Sequence, residues 1–545
     1  MKVSYEAAKY YTWAEIQELT AAWCSAFPDL IKSYPIGKTY EGREIICLEL
    51  TAPGTPACEK PGYYIDANFH AGEVTGSAVA LYTVSWLLEN YGTDKEATEL
   101  LERFSWYVVP RVCIDGSEMY MNTPYTLRSS SRLFPFDEDQ PGLHAGDING
   151  DGLICQMRIK DPHGDWKISA SDPRLMVRRE PGDMGGTYYR VYQEGQIVDF
   201  DGVEIPIARP RWGLDVNRNM PAFWDIDAKQ PGSGDYALSE PETKAVADFL
   251  IKKKNIAGAM SYHTSGNVHL RPCCTIADAQ MNKEDLEAYK LLGALGAEIT
   301  GYGHCSVFDG FTVDQSKPLR GVYLDWIYNH RGILAWSTEL WSAAVAAGCE
   351  KLKFDGPRKP KPDKEQEADM LKILAWHDEQ KLDGFLSWAA FNHPQLGEVE
   401  IGGWKNKYMF QNPPPQFLPE ICEKNMRFTN MQALAMAHLT VRKVSAEKVA
   451  EGIYRISCGV VNGGYLNTAG TTLASRISVT KPVEVTISGE NLSLAKGKEK
   501  IELGHMNGRT EKKAEWLIKT AAGTVVTITA AGERAGTCRY ELTLE

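Results

Sequence analysis

No stretch of this sequence approaches the roughly 18 consecutive apolar residues of a membrane-spanning helix, so no such span is expected. Cys-x-x-Cys is also missing. The twelve cysteines are scattered, apart from the adjacent Cys273 and Cys274. That pattern excludes a disulfide framework and a cysteine-rich zinc site. It leaves free, mostly buried thiols, as a reducing compartment permits. There is no basic excess either. A formal net charge of −12 argues against nonspecific nucleic-acid binding, so no nucleic-acid partner is expected. The opening residues, Met1 to Tyr11, lack the apolar centre of a signal peptide. Together with the thiols this gives an expectation of a cytoplasmic location, or of secretion if a leader was trimmed. No internal repeat of fixed period is visible.

What is present has the composition of an ordinary globular protein, 43% apolar and 24% charged. Thr12-Trp-Ala-Glu15 reads as a capping box opening a helix that Pro28 closes. Gly62 to Asn68 is a largely apolar run, as a buried strand would be, and leads into His70. Gly76 to Tyr91 carries apolar residues at helical spacing, with Gly92 as a C-cap. Trp106 to Val109 is a second buried strand. Ser239-Glu-Pro-Glu242 predicts a helix start with Ser as N-cap and Pro in the first turn, running to about Lys254. Ala257 to Tyr262 and Gly332 to Thr338 are further strands, ending beside His263 and Glu339. Alternating strands and helices predict an α/β fold, a sheet covered on both faces. Polar residues at strand ends mark the site.

Two stretches break the rhythm. Residues 133–211 are rich in Asp, Gly, Pro and Arg and read as a long insertion, and Lys351 to Lys364 reads as a charged, proline-rich loop. From about Val444 short alternating segments take over. Val483 to Ser488, Thr524 to Thr529 and Arg539 to Leu544 predict an immunoglobulin-like β-sandwich. The expected division is a domain over 1–440 carrying the insertion, then the sandwich over 441–545.

His70-x-x-Glu73 and the distant His263 supply two imidazoles and a carboxylate, a ligand set that holds zinc with one position open. The short spacing lets two side chains reach one ion, while the third must be delivered by the fold. Asp147, Asn149 and Asp151 place oxygen ligands at alternate positions before Gly152, like the first half of a calcium loop. Arg158 occupies the place of its final glutamate, so a complete EF-hand is excluded. A partial calcium site and a plain Asp/Gly turn both stay open.

The order of motifs resembles the zinc carboxypeptidase family of carboxypeptidase A and B type, from about Tyr11 to Trp341. Gly37-Lys-Thr-Tyr-Glu-Gly-Arg43, Phe69-His-Ala-Gly-Glu73, Ile114-Asp-Gly116, Arg128, Asp215-Val-Asn-Arg-Asn219, Ser239-Glu-Pro-Glu-Thr243, His263, Asp325-Trp326 and Glu339-Leu340 follow one another as in that family. The resemblance implies an α/β/α sandwich with a mixed sheet. It also implies one Zn²⁺ on His70, Glu73 and His263, and a peptide substrate cut at its C-terminal bond. Glu339 would be the general base, and Arg128 would stabilise the oxyanion. Asn217 and Arg218 would hold the terminal carboxylate, a task that suits a planar guanidinium. Asp215 would accept a hydrogen bond from a ligand histidine, His70. Leu324 would set a preference for apolar C-terminal residues. Where the family has a substrate-covering Tyr, this chain has Lys317, with Tyr323 nearby but out of register. Two other readings stand beside this one. One is an amidase or carboxypeptidase for cell-wall peptides with D- or γ-linked residues. The other is a non-catalytic zinc-binding module that has kept the fold.

Overall fold

The computed structural model describes residues 3–351, 353–354, 356 and 361–545. The expected charged loop Lys351 to Lys364 lies partly outside them. Its centre is an eight-stranded mixed sheet. From edge to edge the strands are Ile31–Lys38, Glu44–Leu50, Ser105–Val109, Gly62–Ala67, Ile256–Thr264, Leu334–Leu340, Val268–Arg271 and Gly303–Ser306. The four strands from Ser105–Val109 to Leu334–Leu340 are mutually parallel. They are buried on both sides, so they read as apolar runs without alternation.

Two adjacent tyrosines show how the layers form. Side chains alternate across a strand. Tyr63 points to one face, where its hydroxyl donates to Gln432 Oε1 at 2.7 Å on the helix Leu418–Ala435. Tyr64 points to the other, its ring 5.9 Å from Phe249 on the helix Pro241–Lys252. The predicted α/β/α arrangement is therefore present.

The helix Trp13–Ala26 carries the expected capping box between Thr12 and Glu15, and Thr75–Asn90 lies within a residue of the predicted span. The helix expected to open on Ser239 begins instead at Pro241, with Glu240 at the N-cap and no side-chain cap bond. Proline belongs in the first turn, where its missing N–H costs nothing. Ser239 is displaced outward and donates to Glu240 Oε1 at 2.7 Å.

The insertion has a partner that sequence reading did not foresee. Its strands Gln156–Lys160, Trp166–Ile168, Met176–Arg178 and Tyr189–Gln193 join the hairpin Phe385–His393 and Gly397–Trp404 in one six-stranded sheet. The junction is the antiparallel pairing of Gly397–Trp404 with Gln156–Lys160.

At the C-terminal end, two four-stranded antiparallel sheets share a separate apolar core that includes Ile456, Val485, Trp516 and Ile528. The sandwich starts at Leu439, slightly before the change of sequence texture near Val444. Arg534 ties it to the turn that precedes Leu334–Leu340. That buried guanidinium donates to the carbonyls of Gly332 at 2.8 Å, Ala469 at 2.9 Å and Arg331 at 2.5 Å. All twelve cysteines are free thiols, most of them buried. Among the described residues no helix is long and apolar enough to cross a membrane.

Candidate active site

Three parallel strands end at one place. Gly62–Ala67 runs out into the loop carrying His70 and Glu73, His263 lies near the end of Ile256–Thr264, and Glu339 lies near the end of Leu334–Leu340. His263 and Glu339 are directly opposite in the ladder. Open α/β sheets place their sites at such carboxyl ends.

The ligand atoms of His70, Glu73 and His263 lie within 4.8 Å of one another, and all three residues are buried. His70 Nδ1 is 2.9 Å from Glu73 Oε1, His263 Nδ1 is 2.9 Å from Glu73 Oε2, and the two Nδ1 atoms are 3.1 Å apart. Two imidazole nitrogens turned toward each other and toward a carboxylate form a cation site by the chemistry of their donors. The outward nitrogens are engaged elsewhere, which fixes the tautomer that leaves Nδ1 free to ligate. His70 Nε2 is 3.2 Å from Asp215 Oδ1, and His263 Nε2 is 3.2 Å from Ser261 Oγ. Ser261 Oγ in turn donates to Asp66 Oδ1 at 2.5 Å. Burial acts to raise the pKa of Glu73, but His70 and His263 outweigh it and hold the carboxyl below its ordinary range. Asp215 is likewise buried, and Arg128, Arg218 and His70 hold it well below the usual carboxylate range.

Arg128 reaches over this group. Its Nε donates to Asp215 Oδ2 at 3.0 Å, its Nη1 lies 3.4 Å from Glu73 Oε1, and its side chain is 43% exposed. The Arg128 carbonyl accepts from the Ala71 N–H at 2.8 Å, tying its loop to the one bearing the histidine. Asn217 and Arg218 sit in a short helical turn, and Asn217 Oδ1 accepts the Tyr323 N–H at 2.8 Å. A pocket of about 200 Å³ brings these residues together. Its lining includes His70, Glu73, Arg128, Asn217, Arg218, His263 and Glu339, with Leu270, Val307, Leu319 and Leu324 on its apolar side.

Other residues named from the sequence have different places. Tyr323 is fully buried on the Asp66 side and does not cover the pocket. Lys317 is exposed. Asp325 binds the Cys274 N–H at 2.8 Å and the Thr275 hydroxyl at 3.1 Å, so it braces a loop. The possible calcium site is not supported. Asp147 accepts from the N–H groups of Gly150 and Gly152 at 2.7 and 2.9 Å, and Asp151 from that of Leu153 at 2.8 Å. Asn149 accepts from the Asp151 N–H at 3.0 Å. These oxygens fold the loop onto itself as Asx turns.

Sequence reading missed Ser261 as the support of His263. The available signal was its position two residues before the histidine on the same face of a strand.

Among the described residues one buried group of two histidines and a carboxylate shares a pocket with Arg128 and Arg218, a donor set that fits one metal ion with a position left open. The zinc carboxypeptidase family model matches residues 16–347, and the chain belongs to that family. The family implies one zinc ion, and the donor set present fits it. A second model, a domain of unknown function (DUF8731), matches residues 438–543. Bovine carboxypeptidase B is 37% identical over 113 residues, covering 21% of this chain and 26% of the relative. Zinc carboxypeptidase A 1 of Drosophila melanogaster is 32% identical over 170 residues, covering 29% of this chain and 39% of the relative. The chain thus spans well under half the length of these curated relatives. Among solved structures, thrombin activatable fibrinolysis inhibitor (TAFI) aligns over 78% of this chain and 74% of that one, at 18% identity and a TM-score of 0.45.

Proposed function

We propose that this protein is a zinc-dependent metallocarboxypeptidase that removes the C-terminal residue of peptides. The observation that carries the reading is the convergence of His70, Glu73 and His263 within 4.8 Å in a pocket also lined by Glu339, Arg128 and Arg218.

His70, Glu73 and His263 would hold the ion. Zinc bound there supplies a Lewis acid that polarises a carbonyl and makes water nucleophilic near neutral pH. Glu339 takes the proton from the attacking water and returns it to the departing amine. Arg128 lies where it can face the carbonyl oxygen as negative charge develops, a contribution of about 3 kcal/mol for a single well-aimed donor. Arg218 and Asn217 bind the terminal carboxylate, which makes the activity an exopeptidase one. Leu324 and its apolar neighbours receive the terminal side chain, favouring an apolar residue.

The test is metal content followed by mass spectrometry of a peptide pool with L, D and γ-linked C-termini. Bound zinc at one ion per chain, with loss of single C-terminal residues, is the expected result. A metal-free protein that shortens no peptide even after zinc is added would end the proposal.

A further inference from the structure

The pocket at the histidines is small, about 200 Å³, below the roughly 300–1,000 Å³ of most ligand sites. It suits a terminal residue, and the rest of a peptide must lie elsewhere. Arg128 lines a second cavity of about 900 Å³. The two spaces therefore share as a lining residue the one that would face the reacting carbonyl.

The walls of this chamber come from three parts of the chain. Met121 to Arg128 form the side toward the histidines. The insertion contributes Gly152 to Cys155 and Gln193, with Trp212 just beyond it. Lys405 to Tyr408, Gln411 and Pro415 close it from the other side. That last segment lies outside residues 16–347, the part matched by the family model. The chamber is thus completed by a segment beyond the part that the family model matches.

The chemistry of the lining is uneven. Trp212, Tyr408, Tyr10, Leu153 and Ile154 give it an apolar, aromatic surface. Its charged residues are Arg128, Lys405 and Lys407 against Asp383 alone, in a protein whose overall charge is −12. Lys405 is paired with Asp383. Lys407 donates to the carbonyls of Tyr120 and Thr123, each at 2.6 Å, which neutralises none of its charge. Burial lowers its pKa only to about 8, so it is largely cationic at pH 7. Arg128 is paired with Asp215, so the positive charge at the wall is carried by Lys407, held on carbonyl oxygens.

We propose that this chamber binds the substrate residues on the amino side of the scissile bond, and that it selects large apolar and acidic side chains there while rejecting basic ones. The proposal rests on the carboxypeptidase reading for the direction of the peptide. The terminal residue lies by Arg218, the reacting carbonyl by Arg128, and the upstream residues pass Arg128 into the chamber. Aromatic side chains meet Trp212 and Tyr408. A carboxylate meets the Lys407 ammonium, and a lysine or arginine there meets like charge.

The experiment compares zinc-loaded full-length protein on peptides sharing one C-terminal residue, with Phe, Glu or Lys at the two positions before it. Phe and Glu peptides are expected to exceed Lys peptides at least tenfold in kcat/KM. Trp212→Ala should reduce the Phe advantage at least fivefold. Leu153→Glu, which adds an anion to the wall, should reverse the order of Glu and Lys, and it serves if Trp212→Ala does not fold. Equilibrium binding of the same peptides to zinc-loaded Glu339→Gln provides a readout without turnover. Peptides cut equally well whatever precedes the last residue, in wild type and Leu153→Glu alike, would overturn the chamber and leave the enzyme reading intact. Peptides that bind with the stated order but are never cut by the wild type would support the chamber and remove the enzyme reading.

Discussion

Arg128 and His70 share one carboxylate. Asp215 accepts Arg128 Nε on Oδ2 at 3.0 Å and faces His70 Nε2 with Oδ1 at 3.2 Å. The metal ligand and the group proposed to meet the substrate oxygen are therefore set by the same side chain. Asp215→Asn keeps the shape but replaces an oxygen acceptor and its charge. Zinc affinity is expected to fall about 10- to 100-fold, as for other outer partners of ligating histidines. Competition with a chromogenic chelator measures it, and unchanged affinity would show that Asp215 does not orient His70.

Glu339→Gln tests the proposed proton carrier. The variant should bind zinc as the wild type does and lose roughly 10²- to 10⁴-fold in kcat, the usual contribution of a general base. Turnover at the wild-type rate would remove Glu339 from the mechanism.

The acid side of the stability profile should depend on His269. Its ring is fully buried between the Thr338 hydroxyl at 2.9 Å and the Thr300 hydroxyl at 2.8 Å. Burial, helped by nearby His304, lowers its pKa from 6.5 to about 3. The unfolded chain takes up a proton below about pH 6.5 that the folded chain refuses. The stabilisation is thus complete above pH 6.5 and is lost as pH falls toward 3, by up to about 1.4 kcal/mol per pH unit. His269→Gln has no such proton to refuse. Urea denaturation between pH 7 and 4 should show a shallower decline in the variant, and parallel declines would rule out the assignment.

Arg534 fastens the sandwich to the turn that precedes the Glu339 strand. Arg534→Ala removes three charge-assisted hydrogen bonds, although the Gly332 carbonyl keeps the Thr471 hydroxyl as a donor at 2.8 Å. A loss on the order of 3 kcal/mol is expected. Chemical denaturation reads the loss, and limited proteolysis should cut earlier near residue 438 in the variant. An unchanged midpoint would show that the apolar contacts alone hold the two parts together.

The grouping of the proposed site residues was legible in the sequence. His70, Glu73, His263, Arg128, Asn217, Arg218 and Glu339 line one pocket, because reactive side chains leave their type and order in the sequence. The reasons for other motif positions are spatial. Gly116 is required where a Cβ would collide with the Ser129 carbonyl oxygen, next to the Arg128 loop. Asp115 binds the Thr39 hydroxyl and the Glu41 N–H, each at 2.8 Å, so the early Gly37 to Arg43 motif packs against the start of the helix Ile114–Asn122. The partner of the insertion was not legible at all. Pairing between Gln156–Lys160 and Gly397–Trp404 joins residues 242 apart at Arg158 and Glu400, and nothing local in either strand names the other.

That pairing also sets an order of events during synthesis. Every proposed ligand and the proposed base have been synthesised once Glu339 is added. The strand that closes the insertion sheet and the helix Leu418–Ala435 that covers one face of the central sheet come later. Until then Gln156–Lys160 presents an unpaired flank on the side that Gly397–Trp404 will occupy, the kind of edge on which chains associate wrongly. A fragment trimmed to residues 16–347 would carry the whole metal site yet stay in that unfinished condition. The stretch that resembles an enzyme in sequence ends before the strand that completes the insertion sheet and the helix that covers the central one.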